Sequence, residues 1–296
     1  LRHVEKGMDL IMEKKYVFLG LLLIVICLVS FLVYMSQNLK REYESEVKEA
    51  LILNAEQEKD ILTLEDIRYL PEPVQKYLIY VGVIGKEKVR NVKVIIDGEM
   101  KMSPESDWAK ISAQQYNFFG DQLTRLFYMK LNTFGIPVYG LHSYTDQHAN
   151  MRVKVGGLFT VVDAKGQEMR ISDTITLLND MCLFAPATLI DNRIQWKLID
   201  NKTVEAVFKT DYATVSAVLY FNEKGELINF TSEDRYYSEA GGSFRKAKWS
   251  TPLSDYKERN GLMLASYGEA VWSFPEGDYC YIKFTDIKET SYNCAN

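Results

Sequence analysis

The sequence predicts a mainly β protein with helices (α+β). We expect one large curved antiparallel sheet, or half-barrel, of about eleven strands with a helix lid, preceded by one transmembrane helix. Three observations carry this expectation. Residues 16–35 run for twenty positions without a charge. From residue 91 onward, apolar and polar residues alternate with period two, as in strands with one wet face. The alternating segments are joined mostly by short connections, which impose antiparallel pairing because parallel neighbours need a long crossover.

The apolar run comes first. Twenty helical residues span about 30 Å, the thickness of a bilayer's hydrocarbon core. Tyr16 and Tyr34 sit near its ends, where amphipathic rings favour the interface. A buried core helix of this length would show a polar face. A cleaved signal has a shorter apolar core followed by a small-residue cleavage site, and no such site follows here. Cys27 lies inside the run after Ile26, which does not fit a lipoprotein signal. The reading is an uncleaved anchor. Lys14 and Lys15 precede it and Lys40 and Arg41 follow it, so the flanks nearly tie. Arg2 and Lys6 tip the count inward unless translation starts at Met8 or Met12. The expected location is the cell membrane, single-pass, with the C-terminal domain extracytoplasmic.

This divides the chain into a flank over residues 1–15, an anchor over 16–36, a juxtamembrane helical stalk over 37–69 and a β-rich domain over 70–296. In residues 39–59, Tyr43, Val47, Ala50, Leu51 and Asn54 fall near one helical face among many charges. We expect a solvated stalk that lifts the domain off the bilayer. Residues 73–81 read as a short helix at a sheet edge. Pro73 suits its first turn, Val74, Tyr77, Leu78 and Val81 form an apolar stripe, and Gly82 can end it in the left-handed conformation.

Strands follow along NVKVIIDGEMKM, WAKISAQQYNF, LFYMKLNTF, YGLHSY and NMRVKVGGLFTVV. One helical stretch interrupts them: Met169, Ser172, Ile175, Leu178 and Cys182 recur at helical spacing until Pro186 breaks the pattern. It is the expected lid on the concave face. Strands then resume through RIQWKLI, TVEAVFKT, TVSAVLYF, LINFTSEDR, RKAKWSTPLSDYKER, LMLASYGEAVWSF and DYCYIKFTDIKETSY. Turns are expected at residues 222–225 and 274–278. Gly156–Gly157 reads as a bulge and Gly241–Gly242 as a loop. No Gly/Ser/Pro-rich linker divides the region, so one domain is expected.

With these elements in place, the chain resembles an uncharacterised family of bacterial membrane-anchored proteins, a domain of unknown function. The resemblance rests on LPEPVQKYLIYVGVIG at residues 70–85 and on Gly98, Met100, Trp108, Ala113 and Gln115. It continues in LFAPATLI at 183–190 and in YGEAVWSFPEGDYCYIKFTDI at 267–287. It implies no activity and no catalytic residues. In architecture alone, a curved sheet with a helix lid is similar to the periplasmic lipoprotein carriers and localisation factors. That resemblance implies acyl-chain binding in the sheet's concavity.

Chemistry is sparse. The net charge of −5 argues against a nucleic-acid partner. Beyond the anchor there are Cys182, Cys280 and Cys294 and no CxxC, so neither a disulfide scaffold nor a zinc ribbon is supported. A Cys280–Cys294 bridge and free thiols both stay open. HExxH, GxSxG, Walker and strand–GxGxxG–helix signatures are absent. His142 and His148 flank Asp146, but a strand–turn–strand there favours surface histidines over a metal site. In SEDRYY, Glu233 and Asp234 face opposite sides of a strand, and an ion pair is the expected use of Arg235. No metal, cofactor or catalytic group is expected.

The aromatic residues are the better clue. Trp108, Phe127, Trp196, Phe221, Trp249 and Trp272 all fall in expected strands. The plainer reading packs them as core. The functional reading has some of them line an apolar pocket, because a strongly curved sheet is not always filled by its own side chains. The expectation is therefore a membrane-anchored, non-enzymatic module that binds a lipid or lipoprotein acyl chain. The alternatives are an interaction module of an envelope complex, which would show an exposed apolar patch, and an enzyme using Asp173, Glu233 or Asp234. Protein partners are not specified by the sequence.

Overall fold

The computed structural model describes residues 2–54, 59–133, 135–238 and 243–295, with side chains from residue 14 onward. Helix α1 (Arg2–Ser36) contains the apolar run, and Lys14–Ser36 is a 23-residue stretch with an 18-residue window of mean hydropathy 3.0, long and apolar enough to cross a membrane. None of that stretch is buried against the rest of the chain. Helix α2 (Asn38–Leu53) follows after a single turn residue, Gln37.

The β region forms one sheet of fourteen strands among the described residues, in the order β6-β5-β4-β3-β2-β1-β14-β13-β11-β10-β9-β8-β7, with β12 also paired to β13. Every pairing is antiparallel. One arm is a meander: β1 (Asn91–Met100), β2 (Ala109–Phe118), β3 (Thr124–Thr133), β4 (Ile136–Thr145), β5 (Ala149–Val155) and β6 (Phe159–Lys165). The other arm holds β7 (Ile194–Asp200), β8 (Thr203–Lys209), β9 (Thr214–Phe221), β10 (Leu227–Ser238), β11 (Phe244–Ser250) and β12 (Leu253–Arg259). The long strands β13 (Leu262–Phe274) and β14 (Gly277–Tyr292) join the arms, because β14 pairs with β1.

The count exceeds the expected figure of about eleven: of the twelve stretches that read as strands, two are each divided. Gly156 and Gly157 have φ of +62° and +71°, so they make the turn between β5 and β6 and are not a bulge. Positive φ at two central residues is the requirement of a tight hairpin turn. The second division falls at Thr251–Pro252, between β11 and β12, which pair with successive parts of β13. Proline has no N–H for the ladder, so pairing stops there. Gly241–Gly242 lie outside the described residues. The turn at 222–225 forms as expected, with Gly225 at φ +88°.

Helix α5 (Gln167–Phe184) crosses from β6 to β7 and carries a 3-10 turn, Pro186–Ile190, after it. All residues from Ser172 to Phe184 are buried, so α5 is surrounded on every side and is more than a lid. Its apolar residues enter the main core with Val204, Ala206 and Phe208 of β8, Val215, Ala217 and Leu219 of β9 and Phe230 of β10. Helix α4 (Glu72–Val81) joins the same core and ends at Gly82, φ +83°. It does not lie along an edge strand. It contacts β13 and β8, which three strands separate, and so bridges the curl. A one-turn helix, α3 (Leu64–Ile67), precedes it and is closed by a capping box between Thr63 and Asp66.

Helix α2 corrects the expectation of a solvated stalk. Leu39, Tyr43, Val47, Ala50 and Leu51 are buried against Phe118, Leu126, Tyr128 and Leu141 on the outer face of β2–β4. Each large apolar side chain buried this way stabilises by about 1.5–3 kcal/mol, which outweighs solvation of the helix's charged face. Glu46 accepts from Ser143 Oγ, and Glu42 pairs with Arg152. Burial pushes the Glu46 carboxyl above its ordinary range, against the Ser143 hydrogen bond. The β5–β6 turn also meets the end of α1: a Cβ on Gly157 would clash with the Ser36 carbonyl oxygen.

Candidate functional site

The two faces of the first arm follow from strand alternation. On β3, Leu126 and Tyr128 point outward to α2, while Arg125, Phe127 and Met129 point inward to α5. On β4 the inward residues include Gly140, His142 and Tyr144. Between this inner face and α5 lies a cavity of about 200 Å³. Its walls are largely apolar. Ile111 and Ala113 of β2, Phe127 and Met129 of β3 and Met151 of β5 form one side, and Leu183 and Phe184 of α5 another. Strand β10 contributes Arg235, β14 contributes Tyr281 to Phe284, and Trp249 of β11 lies beside them.

The polar residues of α5 face the strands in named pairs. Asp180 Oδ2 accepts from Arg125 Nε at 2.7 Å, from Gln115 Nε2 at 2.7 Å and from Asn117 Nδ2 at 3.2 Å, and Arg125 Nη2 also donates to Gln115 Oε1. All four residues are buried. One carboxylate oxygen thus gathers three donors, and the arginine charge is matched inside the core. One turn or two earlier, Asp173 Oδ2 lies 2.7 Å from His142 Nε2, and Thr174 Oγ1 lies 2.9 Å from Tyr144 Oη. Burial pushes the Tyr144 phenol far above its ordinary value, so it stays neutral. Toward the other arm, Asn179 Nδ2 donates to Thr251 Oγ1, and Tyr236 N donates to Ser172 Oγ.

Of the six aromatic residues singled out from the sequence, Phe127 and Trp249 line the cavity. Trp272 is buried directly opposite Trp249 on the neighbouring strand β13 and packs edge-on against Tyr237. Phe221 is core, 5.6 Å from Tyr77. Trp196 on β7 packs partly buried against the main core. Trp108 lies just before β2, outside the strand, with Lys283 Nζ 4.5 Å from its ring centre.

Other expectations change. His142 is not a surface histidine: it points inward to Asp173, whereas His148 sits exposed in the β4–β5 turn. Among the described residues no group of three or more His, Cys, Asp or Glu could hold a metal. Cys280 and Cys294 are both free. Cys280 lies within β14 and Cys294 just beyond its end, and at about 3.3 Å per residue the strand keeps them far outside bridging range. Burial pushes the Cys280 thiol up to about 11. Arg235 makes no ion pair among the described residues. Asp234 instead pairs with Lys246 at 3.0 Å and accepts from Ser216, while Glu233 is exposed. Burial would raise the Asp234 carboxyl, but Lys246 and Ser216 outweigh it and hold it below the ordinary range.

The residues that sequence reasoning missed are Gln115, Arg125, Asp180 and Arg235. Asp180 and Asn179 stand inside an apolar helical run, and polar residues there are a readable sign that partners await them. No comparable sign marks Arg125 or Arg235, since an arginine on a strand is ordinarily on the wet face.

A putative outer membrane lipoprotein-sorting protein domain from Vibrio parahaemolyticus is 10% identical, with a TM-score of 0.41 over 70% of this chain and 86% of that one. A LolA-superfamily protein from Nitrosomonas europaea is 8% identical, with a TM-score of 0.37 over 76% and 93%. A DUF1329 family protein from Desulfovibrio piger is 10% identical, with a TM-score of 0.43 over 76% and 93%. A comparison with curated proteins returns no match. The model of a family of unknown function, DUF6544, matches residues 60–284 of the 296, and the chain belongs to that family.

Proposed function

We propose that the protein is a bilayer-anchored binding module that takes an apolar group into the cavity between α5 and the first arm of the sheet. Residues Lys14–Ser36 anchor it in the cell membrane and the β domain lies on the extracytoplasmic side. The single observation that supports this reading most is the apolar lining around about 200 Å³ inside the curl. Cores are packed to crystal density, and voids larger than a water are few. A volume of about 150 Å³ with such a lining is enough to hold benzene. The size therefore favours one short alkyl or aryl group, such as the end of an acyl chain, over a whole lipid. The contact between Gly157 and Ser36 places the first arm beside the end of the apolar helix, where lipid-derived groups are concentrated. Binding is favoured over catalysis because the His142–Asp173 pair has no serine or cysteine beside it among the lining residues.

Met100, Met129 and Met151 line the cavity, whereas Met169 and Met181 sit in the main core. Full-length protein in detergent micelles, labelled with ¹³C at the methionine methyls, reads the two places separately. Titration with 1-octanol is expected to move the three cavity methyls saturably and leave Met169 and Met181 in place. Ala113→Leu fills the cavity from β2 and abolishes the response, with the core methyls as its folding control. Cavity methyls that do not move, or that move equally in Ala113→Leu, refute the reading.

A further inference from the structure

The cavity holds a cation that no described residue neutralises by an ion pair. Arg235 is nine-tenths buried and lines the cavity. Its guanidinium lies 4.0 Å from the ring centre of Trp249 and 5.2 Å from that of Trp272. Nη1 donates to Tyr281 Oη at 3.3 Å, and Nε is buried without a partner among the described residues. No carboxylate there forms an ion pair with it. The other charges on the lining are matched: Arg125 by Asp180 at 2.7 Å, and Lys283 by Glu269 at 3.8 Å. His142 is held by Asp173. Arg235 is therefore the charged lining residue that has no ion-pair partner among the described residues.

The position of Arg235 is built. Ser232 pairs with Trp249 and Arg235 with Ala247, so β10 spends one residue more than β11 across this step. Such a bulge re-aims the side chains that follow it. Asp234 is held from outside by Ser216 and Lys246, which fixes the bulge. Flanking tryptophans stabilise a guanidinium, but a buried charge without a counter-ion is costly. Arginine's planar fork matches carboxylate and phosphate oxygens in pairs.

Building on the apolar-ligand reading, we propose that the cavity takes an amphiphile with an acidic head, a carboxylate or a phosphate monoester, whose head group pairs with Arg235 and whose short apolar body lies against Ile111, Ala113 and Met129. A body of about six to eight carbons matches the volume, by comparison with a cavity that holds benzene.

The test uses the same methionine-labelled full-length protein with three probes of equal chain length: 1-octanol, octanoate and octyl phosphate. Octanoate, octyl phosphate or both are expected to bind at least tenfold tighter than 1-octanol, and the preferred one identifies the head group. Arg235→Gln is expected to erase that preference, with the Met169 and Met181 methyls unmoved as the sign that the variant is folded. Arg235→Lys retains part of the preference. Should Arg235→Gln not fold, the wild-type comparison of acid with alcohol decides alone. Equal binding of all three probes refutes the acidic head while leaving an apolar site. Failure of all three to bind refutes the apolar reading itself. Acid preference that persists in Arg235→Gln assigns the head group to another residue and overturns the role of Arg235.

Discussion

The arm from β7 to β12 and the arm from β1 to β6 share one alternating sequence pattern, yet they meet α5 in different ways. Against β8, β9 and β10, α5 packs through Ile175, Leu178 and their neighbours in a continuous apolar core that α4 seals. Against β3 and β4 it is fastened by polar pairs, Asp180 to Arg125 and Asp173 to His142, with a cavity beside them. The first arm compensates on its outer face, where α2 buries Leu39, Tyr43 and Val47. Apolar packing is non-directional and closes space. Paired charges hold elements at fixed separations, so an arm tied by them can keep a cavity without collapsing. The hollow therefore lies on the side of the first arm, and the second arm closes it with Arg235 and Trp249.

The comparison breaks most directly at Arg125. Arg125→Met leaves Asp180 as a buried unpaired carboxylate and is expected to cost about 3–5 kcal/mol in urea unfolding. Arg125→Met with Asp180→Leu removes both charges and is expected to recover most of that loss. If the double variant is no more stable than the single one, the pair is not what fastens this arm.

A smaller difference sharpens the contrast between packed and hollow sides. Phe230→Ala, in the main core, is expected to cost about 3–5 kcal/mol, and Met129→Ala, on the cavity wall, about 2 kcal/mol, at the low end for its type. The Met129 side already borders open volume, so fewer contacts are lost there. Equal losses in unfolding free energy would mean that both arms are packed alike.

The smallest effect is one of pH. Asp146, at the end of the first arm, is buried with Oδ1 unpartnered. Burial, reinforced by Asp211, raises its carboxyl above the ordinary range. The folded protein therefore holds this proton more tightly than the unfolded chain. The stabilising contribution is full below the unfolded value, about pH 4, and is lost as pH rises through the folded one. Asp146→Asn is expected to raise Tm at pH 7 and to show no gain near pH 3.5. A gain of equal size at both values would point to a cause other than ionisation.

Much of the frame was legible in the sequence. The uncharged run ending at Met35, the proline and glycine that bracket α4, and the alternation in MRVKV each report a local rule that the structure obeys. The strand count fell short where local signals were ambiguous. Gly156–Gly157 serves a bulge or a turn equally well, and Pro252 interrupts pairing without interrupting the alternation of side chains. The site was less legible. Phe127 and Trp249 were readable as strand aromatics, but nothing local distinguishes them from Phe221, which is plain core. Arg125 and Arg235 look like wet-face residues until the far side of the curl is known.

The sequence by itself determined the elements, because helix and strand periods, prolines and glycines act over a few residues. It also determined that α5 must find polar partners, since Asp173, Asn179 and Asp180 stand in an apolar helix. Only the tertiary structure decided which partners those are, that α2 lies on the sheet, and that a cavity remains beside α5 with Arg235 on its wall and no ion pair to it among the described residues. Those outcomes depend on how far the sheet curls and on contacts between residues far apart in the chain, such as Glu42 and Arg152, 110 positions apart. No short-range pattern encodes such distances.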